Sequence, residues 1–395
     1  MALASFQYHR IPADVEPLRA EVRRFLATAL KDRSALRRAD SWMGADPAFS
    51  RELGCRGWFG LFLLYQYGGD DASPWARYVV MEELLAAGAP VSAHWIADRQ
   101  SGPLILRYGT EAQRQKYLPG ICKGEVYFCI GMSEPNSGSD LASIRSRAVR
   151  DEAAGDDSWR LSGQKVWTTN AHHAQYMIAL VRTGAATGEK AARHEGMSQF
   201  IIDLKAAGVT VRPIRDLAGG EHFNEVYLDD VRLDADALIG TEGQGWEQVT
   251  AELAFERSGP ERFLSSMALL HTLIDAVGAQ PDALQAHAVG RLSARLVVLR
   301  QMSLAVTAEL AAGGNPAWAA SCLKDLGAAF EQEIPELAQQ VLYVAPAVGG
   351  GSDHAQVLAA LMQMAPSFSL RGGTREILRG IIARGLGLRC EHKHA

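Results

Sequence analysis

The chain has 395 residues, of which 48% are hydrophobic and 22% are charged, and its formal net charge is −5. This length supports a large core organised in two or three subdomains. The mildly acidic balance, without any run of lysines and arginines, argues against nucleic acid as a partner. No stretch of about eighteen apolar residues is present to span a membrane.

Cysteine usage and the N-terminus are typical of a cytoplasmic protein. The five cysteines are scattered and form no CxxC pair, which argues against a disulfide framework or a zinc site. Residues 1–8 lack the basic start and the apolar run of a signal peptide. We therefore expect a cytoplasmic location and no metal.

The first third of the chain is predicted to be helical. Apolar residues recur at three- and four-residue spacing from Val15 to Leu30, and a second helix is predicted from Ser73 to Ala87. Thr110 and the glutamine three residues later have the spacing of a capping box at the start of a further helix. We expect Pro119 to end that helix.

Six short segments rich in aromatic and β-branched residues follow from about residue 125. Turn residues and a polar loop separate them, without intervening helices, which favours an antiparallel sandwich or barrel over βαβ units. The segments are 126–130, 159–167, 176–181, 200–204, 209–211 and 226–231.

Helical periodicity returns at about Gly243 and continues to about Leu386. The predicted fold class is therefore α+β, with a β layer between helical layers. We predict an N-terminal α-helical domain (residues 1–124), a middle antiparallel β domain (125–236) and a C-terminal α-helical bundle (237–395).

The densest polar cluster in the strand region is Met132–Asp140. There a strand ends at Gly131 and a tight turn exposes backbone N–H groups and two hydroxyls, which together suit an oxygen-bearing ligand. Two dozen residues later, Gly163–Asn170 places a tryptophan beside two threonines at a strand end. Either segment alone is also compatible with an ordinary turn or a core strand.

Together the two segments resemble the flavin site of the acyl-CoA dehydrogenase family. The turn contains the family's glutamate-proline-x-x-glycine-serine-aspartate motif, and the strand contains its glycine-x-lysine-x-tryptophan-x-threonine motif. The resemblance implies that family's fold, FAD as the cofactor and an acyl-CoA substrate. Further matches cover nearly the whole chain: 57–58, 67–69, 82–84, 108–110, 117–119, 223–226, 243–246 and 373–379.

The resemblance also implies which residues hold the cofactor. Trp167 packs on the isoalloxazine, and Thr169 forms a hydrogen bond near its reactive nitrogen. Thr374 and Glu376 match positions close to the phosphates and the ribityl chain. Glu376 is expected to contact a hydroxyl of the cofactor, because a carboxylate beside a phosphate is unfavourable. The other cofactor-binding residues implied are Met132, Ser133, Gly138, Ser139 and Thr168, and Ser139 also contacts the substrate.

The catalytic base must be a carboxylate over the substrate α-carbon, with its pKa raised towards about 6–7 by burial. Many family members place this glutamate just before the C-terminal glycine-threonine, where the present chain has Gly372. Others, including isovaleryl- and long-chain-type enzymes, place it in a leucine-x-x-glutamate-arginine motif, which corresponds to 253–257 here. The resemblance therefore implies Glu256 as the base. Arg257 is the neighbouring charge that orients the site and helps to bind the substrate.

Gly372 keeps a role in this interpretation. In the family, the backbone N–H at this position and a flavin ribityl hydroxyl polarise the thioester carbonyl, which is oxyanion-type stabilisation. A glycine N–H donates as well as that of a glutamate. The next residue, Gly373, is implied in substrate binding.

Two departures from the family pattern concern the half of the cofactor site that lies between subunits. The family's arginine-x-x-phenylalanine-glycine segment is not recognisable between Leu269 and His287, and its glutamine-x-x-glycine-glycine approach is replaced by 341–346. The family's assembly implies at least a homodimer and favours a homotetramer. The departures leave open a heteromer with a related chain.

The predicted reaction is α,β-desaturation of an acyl-CoA thioester, as in β-oxidation. Glu256 takes the α-proton, the β-hydrogen leaves as hydride to flavin N5, and an electron-transfer flavoprotein accepts the electrons. A second interpretation is a relative that uses oxygen, such as an oxidase or monooxygenase. A third is a non-catalytic subunit of a mixed oligomer, or a nucleic-acid-binding flavoprotein. The sequence determines neither the acyl length nor its branching.

Overall fold

The computed structural model of the chain describes residues 6–184, 193–256 and 259–388, without the side chains of residues 252–256. The chain divides into two compact units. The helical unit comprises Met1–Gly44, Ser73–Pro90 and Leu253–Ala395, and the sheet unit comprises Ala45–Ala72 and Val91–Glu252.

Helices dominate both ends of the described chain. In chain order they are α1 (Glu16–Ala29), α2 (Ala35–Asp40), α3 (Pro47–Cys55), α4 (Pro74–Ala86), α5 (Ser92–Ile96), α6 (Gly102–Tyr108), α7 (Glu111–Cys122), α8 (Gly245–Glu256), α9 (Met267–Val277), α10 (Ala283–Ala311), α11 (Ala317–Leu342), α12 (Asp353–Met364) and α13 (Arg375–Gly385). Among the described residues, none of these helices has both the length and the apolar character of a membrane span.

The middle of the chain forms one sheet. Its strands are β1 (Phe128–Gly131), β2 (Arg147–Arg150), β3 (Trp159–Thr169), β4 (Tyr176–Arg182), β5 (Met197–Asp203), β6 (Val209–Ile214), β7 (Phe223–Leu233) and β8 (Leu238–Ile239). The strand order is β6-β7-β3-β2-β4-β5-β8, and β1 pairs with β4. Most pairs are antiparallel, whereas β1 and β2 run parallel to β4.

The sheet consists of two antiparallel parts that share one core. A single parallel pairing, Arg147 with Arg182, links β2 to β4 and joins the two parts. The rings of Trp159 on β3 and Phe200 on β5 meet edge to face, with centroids 5.1 Å apart. Buried apolar side chains from β3 and β7 pack with those from β4 and β5 in one cluster. The predicted β domain between helical regions is therefore confirmed.

Local signals account for several helix starts. The Ser73 side chain accepts a hydrogen bond from the Ala76 amide and begins α4. The predicted capping box at Thr110 is present, since Thr110 Oγ1 accepts from the Gln113 amide and the Gln113 side chain accepts from the Thr110 amide. In the helical unit, α11 packs against α9, α10 and α13.

The prediction that Pro119 ends its helix was wrong. Pro119 lies inside α7, which continues to Cys122. The proline nitrogen cannot donate a hydrogen bond, but its carbonyl still accepts from the Lys123 amide at 3.2 Å. One missing bond three residues before the helix end is tolerated.

Two strands were not predicted from the sequence. Strand β2 reads Arg-Ala-Val-Arg and buries only its alanine, so it lacks an apolar pattern. Strand β8 has two residues. Both segments are strands because they form hydrogen bonds with neighbouring strands. The β-propensity of their residues does not reveal this pairing.

Candidate active site

The polar turn after β1 is tied to itself by backbone hydrogen bonds. The Glu134 amide donates to the Ser137 carbonyl at 2.8 Å, and the Ser137 amide donates back at 3.0 Å. The Ser137 hydroxyl donates to the Asp140 carbonyl at 2.7 Å. Gly138 and Ser139 are exposed at the tip, while Met132 and Ser133 are half-buried. These hydrogen bonds fix the shape of the turn that carries the predicted ligand-binding residues.

Strand β3 turns the Trp167 side chain outward at an irregularity in its pairing with β7. The register between these strands shifts between Lys165 and Thr168. Trp167 adopts a positive φ of 58°, which is uncommon for a bulky residue. Its side chain remains 58% exposed and meets the Phe223 ring edge to face, with centroids 6.0 Å apart. The bulge therefore presents a large aromatic surface.

The turn and strand β3 are joined directly. The Val166 amide donates to the Ser133 carbonyl at 3.0 Å. The residue before Trp167 is thereby bonded to a residue of the turn. The two motifs identified separately in the sequence lie together in the sheet unit.

A buried ion pair lies beside this junction and was not predicted from the sequence. Lys165 Nζ lies 2.9 Å from Glu134 Oε1, and Lys165 is fully buried. Burial lowers the pKa of Lys165 to about 8, although the Glu134 carboxylate opposes this shift. Burial alone would raise the pKa of Glu134, but the charge of Lys165 and hydrogen bonds from Arg145 and Ser146 lower it. Both groups are therefore charged at neutral pH.

The two predicted threonines of β3 have different surroundings. Thr168 is buried, and its carbonyl accepts a hydrogen bond from Asn224 Nδ2 at 2.9 Å. Among the described residues, no side chain or backbone group bonds to its hydroxyl. Thr169 is half-buried at the end of the strand. Their contacts with a cofactor stay predictions.

In the helical unit, the predicted carbonyl-binding and cofactor-binding residues form one loop before α13. Gly372 and Gly373 both adopt positive φ, at 67° and 96°. Thr374 caps α13, because its side chain accepts from the Ile377 amide. The loop thus leads to the N-terminus of α13, and the positive end of a helix dipole favours an anion such as a phosphate.

Glu376 lies on the exposed first turn of α13. A hydrogen bond from its own backbone amide and one from the Thr374 side chain lower the pKa of its carboxyl. The preceding residue, Arg375, donates to Asp325 Oδ1 at 2.7 Å. Glu376 is therefore ionised at neutral pH, and a neutral hydroxyl is a better partner for it than a phosphate.

The predicted base is only partly described. Glu256 is the last residue of α8, but its side chain lies outside the described part. Arg257 lies outside the described residues altogether. Their catalytic roles stay predictions.

Comparison with known proteins identifies the family. Three family models match consecutive parts of the chain: the acyl-CoA dehydrogenase N-terminal domain at residues 12–125, the middle domain at 129–231 and the C-terminal domain at 243–387. Acyl-CoA dehydrogenase IpdE1 of Mycolicibacterium smegmatis is 33% identical over 401 residues, covering 96% of this chain and 99% of that protein. The chain belongs to the acyl-CoA dehydrogenase family.

Solved structures share the fold over nearly the whole chain. The steroid acyl-CoA dehydrogenase Tcur3481-Tcur3483 superposes with a TM-score of 0.84 at 28% identity, covering 98% of this chain and 100% of that one. The ChsE4-ChsE5 complex of Mycobacterium tuberculosis gives a TM-score of 0.81 at 28% identity, covering 96% and 100%. The fold predicted from the sequence is confirmed.

Membership of the acyl-CoA dehydrogenase family also establishes the enzyme class and the cofactor. Members are FAD-dependent oxidoreductases, so both predictions are confirmed. The described residues fit this cofactor, because Trp167 offers an exposed aromatic surface beside the turn and Thr374 begins a helix suited to a phosphate.

Proposed function

We propose that the protein is an acyl-CoA dehydrogenase that desaturates its substrate between the α and β carbons, with Glu256 as the catalytic base. The observation that carries the proposal is the hydrogen bond from the Val166 amide to the Ser133 carbonyl. It brings together the two segments in which the family motifs are complete. A chain that had lost the flavin chemistry would have no reason to keep both.

We assign each predicted catalytic or substrate-binding residue one role in the reaction. Glu256 removes the α-proton, and Arg257 orients the carboxylate and the thioester. The Gly372 N–H donates to the thioester carbonyl as negative charge develops there. Ser139 and Gly373 contact the substrate. When bound, FAD supplies the two-electron acceptor for the β-hydrogen.

The family resemblance supports a cofactor-binding role for each of the following residues. Trp167 stacks on the ring system, and Thr169 bonds to its edge. Thr374 binds a phosphate, and Glu376 binds a hydroxyl of the ribityl chain. Backbone and side-chain groups of four further residues complete the set: Met132, Ser133, Gly138 and Thr168.

An electron-transfer flavoprotein is the proposed acceptor of the electrons. The alternative is reoxidation by oxygen, as in an oxidase or monooxygenase. A glutamate base, in place of the aspartate of the nitroalkane oxidases, favours the dehydrogenase.

The described cysteines are all free thiols, which supports a cytoplasmic location.

A panel of acyl-CoA thioesters tests the reaction. The purified protein is mixed with each thioester without oxygen, and loss of the flavin absorbance is followed in a stopped-flow instrument. Steroid-derived thioesters belong in the panel, because a structurally similar protein is described as a steroid acyl-CoA dehydrogenase. We expect at least one thioester to bleach the flavin and to yield the enoyl product. Rapid reoxidation by air with hydrogen peroxide release would instead favour the oxidase.

We also propose that the working assembly is an oligomer, either of this chain alone or with a related chain. A structurally similar protein has been solved as the ChsE4-ChsE5 complex. The family's segment that reaches a partner's FAD is not recognisable between residues 269 and 287. Analytical ultracentrifugation decides between the two assemblies. A tetramer with one FAD per chain excludes the need for a second chain, whereas a monomer with little flavin favours it.

A further inference from the structure

The side chain of Lys165 is held by three acceptors. Its Nζ donates to Glu134 Oε1 at 2.9 Å, to the Met132 carbonyl at 3.2 Å and to the Leu180 carbonyl at 2.6 Å. An ammonium has three N–H donors, so all of them are used. The acceptors belong to the turn and to β4, while Lys165 itself belongs to β3. One buried cation therefore joins three segments of the sheet unit.

The Glu134 carboxylate joins a fourth segment to the same point. Its Oε2 accepts from the Arg145 amide at 2.6 Å, and its Oε1 accepts from the Ser146 amide at 2.9 Å. These amides lie where the chain enters β2. The start of the turn is consequently tied to β3 through Lys165 and to the residues before β2 through Glu134.

This ion pair lies directly behind the proposed flavin-binding residues. Met132 and Ser133 immediately precede Glu134, and Trp167 follows Lys165 by two residues. Lys165 and Glu134 are buried, so they bind no ligand themselves. The pair therefore ties the turn to the strand that carries Trp167.

We propose that Lys165 and Glu134 are positioning residues that hold the turn against β3, so that the flavin-binding surface is arranged before FAD arrives. This inference rests on the proposed function of that surface. A binding surface that is already ordered loses less conformational entropy when the ligand binds. Buried ion pairs add little stability over apolar side chains of similar volume. Geometry is therefore the better explanation for keeping charged groups here.

Paired substitution separates positioning from stability. Replacing one partner leaves a buried unpaired charge and destabilises the fold. The double variant Lys165→Met/Glu134→Leu removes both charges and all the hydrogen bonds of the pair. Its apoprotein should have a Tm above that of either single variant, because no unpaired charge stays buried, but below that of wild type, because four backbone groups lose their side-chain partners. We expect its Kd for FAD to remain weaker by about tenfold or more. The control is Arg160→Met/Asp151→Leu, a less buried ion pair with a 2.6 Å contact between Arg160 on β3 and Asp151 just after β2. This control should leave the Kd for FAD unchanged.

Glu134→Gln gives a second measurement that does not depend on the double variant. The amide oxygen can still accept from Lys165 and from the Ser146 amide, whereas the Arg145 amide loses its acceptor. Because the contact between the turn and β3 remains, the Kd for FAD should stay within about threefold of wild type even if the Tm falls. Fluorescence titration of the apoprotein with FAD measures each Kd, and the absorption spectrum reports the flavin environment.

The outcomes separate this inference from the proposed function. A double variant that binds FAD as tightly as wild type would overturn the inference alone. So would Glu134→Gln with a wild-type Tm and a Kd raised more than tenfold. Wild-type protein that cannot be reconstituted with FAD would refute the proposed function and this inference together.

Discussion

The guanidinium carbon of Arg371 lies 3.6 Å from the centre of the Trp42 ring. It also lies 4.4 Å from the Phe368 ring, and Arg371 Nη2 donates to Ser265 Oγ at 2.9 Å. Arg371 immediately precedes Gly372, so these contacts anchor the loop whose N–H is proposed to polarise the thioester carbonyl.

We predict that Arg371→Lys lowers stability and catalysis together. Lysine cannot keep the planar stacking, and the loss of a largely buried cation–π contact costs about 1–2 kcal/mol. Because the Gly372 N–H acts mainly in the transition state, kcat should fall more than KM rises. Urea unfolding and steady-state kinetics measure the two effects. Arg379→Lys, at an exposed position on α13, serves as the control, and equal kcat values for both variants would contradict the prediction.

Trp167→Ala should weaken FAD binding by about 1 kcal/mol, or roughly fivefold in Kd, because a stacking surface is lost. The indole is 58% exposed and touches the Phe223 ring only edge to face, so the Tm of the apoprotein should barely change. Trp167→Phe keeps an aromatic plane and should retain most of the affinity. Titration with FAD checks both variants, and an unchanged Kd in Trp167→Ala would exclude stacking on this residue.

Glu256→Gln should abolish flavin bleaching by a verified substrate while FAD content stays normal. The amide cannot accept the α-proton, and loss of general-base catalysis costs about 10²–10⁴-fold in rate. The matched control is Glu247→Gln, an exposed carboxylate on the first turn of the same helix, α8. Bleaching at the normal rate in Glu256→Gln would show that another residue is the base.

Moving the base to Gly372 should restore only part of the activity. Gly372 adopts a φ of 67°, where a side chain costs about 1–2 kcal/mol. The variant Glu256→Gln/Gly372→Glu should therefore bleach faster than Glu256→Gln but unfold more easily. Stopped-flow bleaching and thermal unfolding measure the two effects. No gain in rate over the single variant would rule out position 372 as an alternative site for the base.

His94 should make the protein less stable in acid. Burial lowers the pKa of His94 well below its ordinary value, and Nδ1 lies 2.8 Å from Ser50 Oγ. In the unfolded chain the imidazole binds a proton below about pH 6.5, whereas in the folded protein it stays neutral. The stability present above pH 6.5 is therefore lost as the pH falls, by up to about 1.4 kcal/mol per pH unit.

His94→Asn should reduce this acid-side slope, measured by urea unfolding between about pH 5 and 7.5. His287→Asn, at an exposed position on α10, controls for the loss of one histidine. If His94→Asn and wild type lose stability in parallel as the pH falls, the buried imidazole is not the cause.

The sequence by itself determined the order of the helical, strand-rich and helical regions and the segments that carry the flavin motifs. Helix α4 begins after Ser73 and α7 begins after Thr110, because the side chain of each capping residue accepts from an amide three residues later. The apolar residues of α1 recur every three or four positions, so its buried face is visible in the sequence. These signals are local, so they are visible without the fold.

Only the tertiary structure decided how the motif residues are arranged. Glu134 and Lys165 are 31 residues apart, and their ion pair exists because the turn lies against β3. The outward direction of Trp167 depends on a register shift between β3 and β7. Strand β2 and the continued helix at Pro119 likewise depend on hydrogen-bonding neighbours. Pairing partners and register are properties of the assembled sheet, and no local pattern of residue types specifies them.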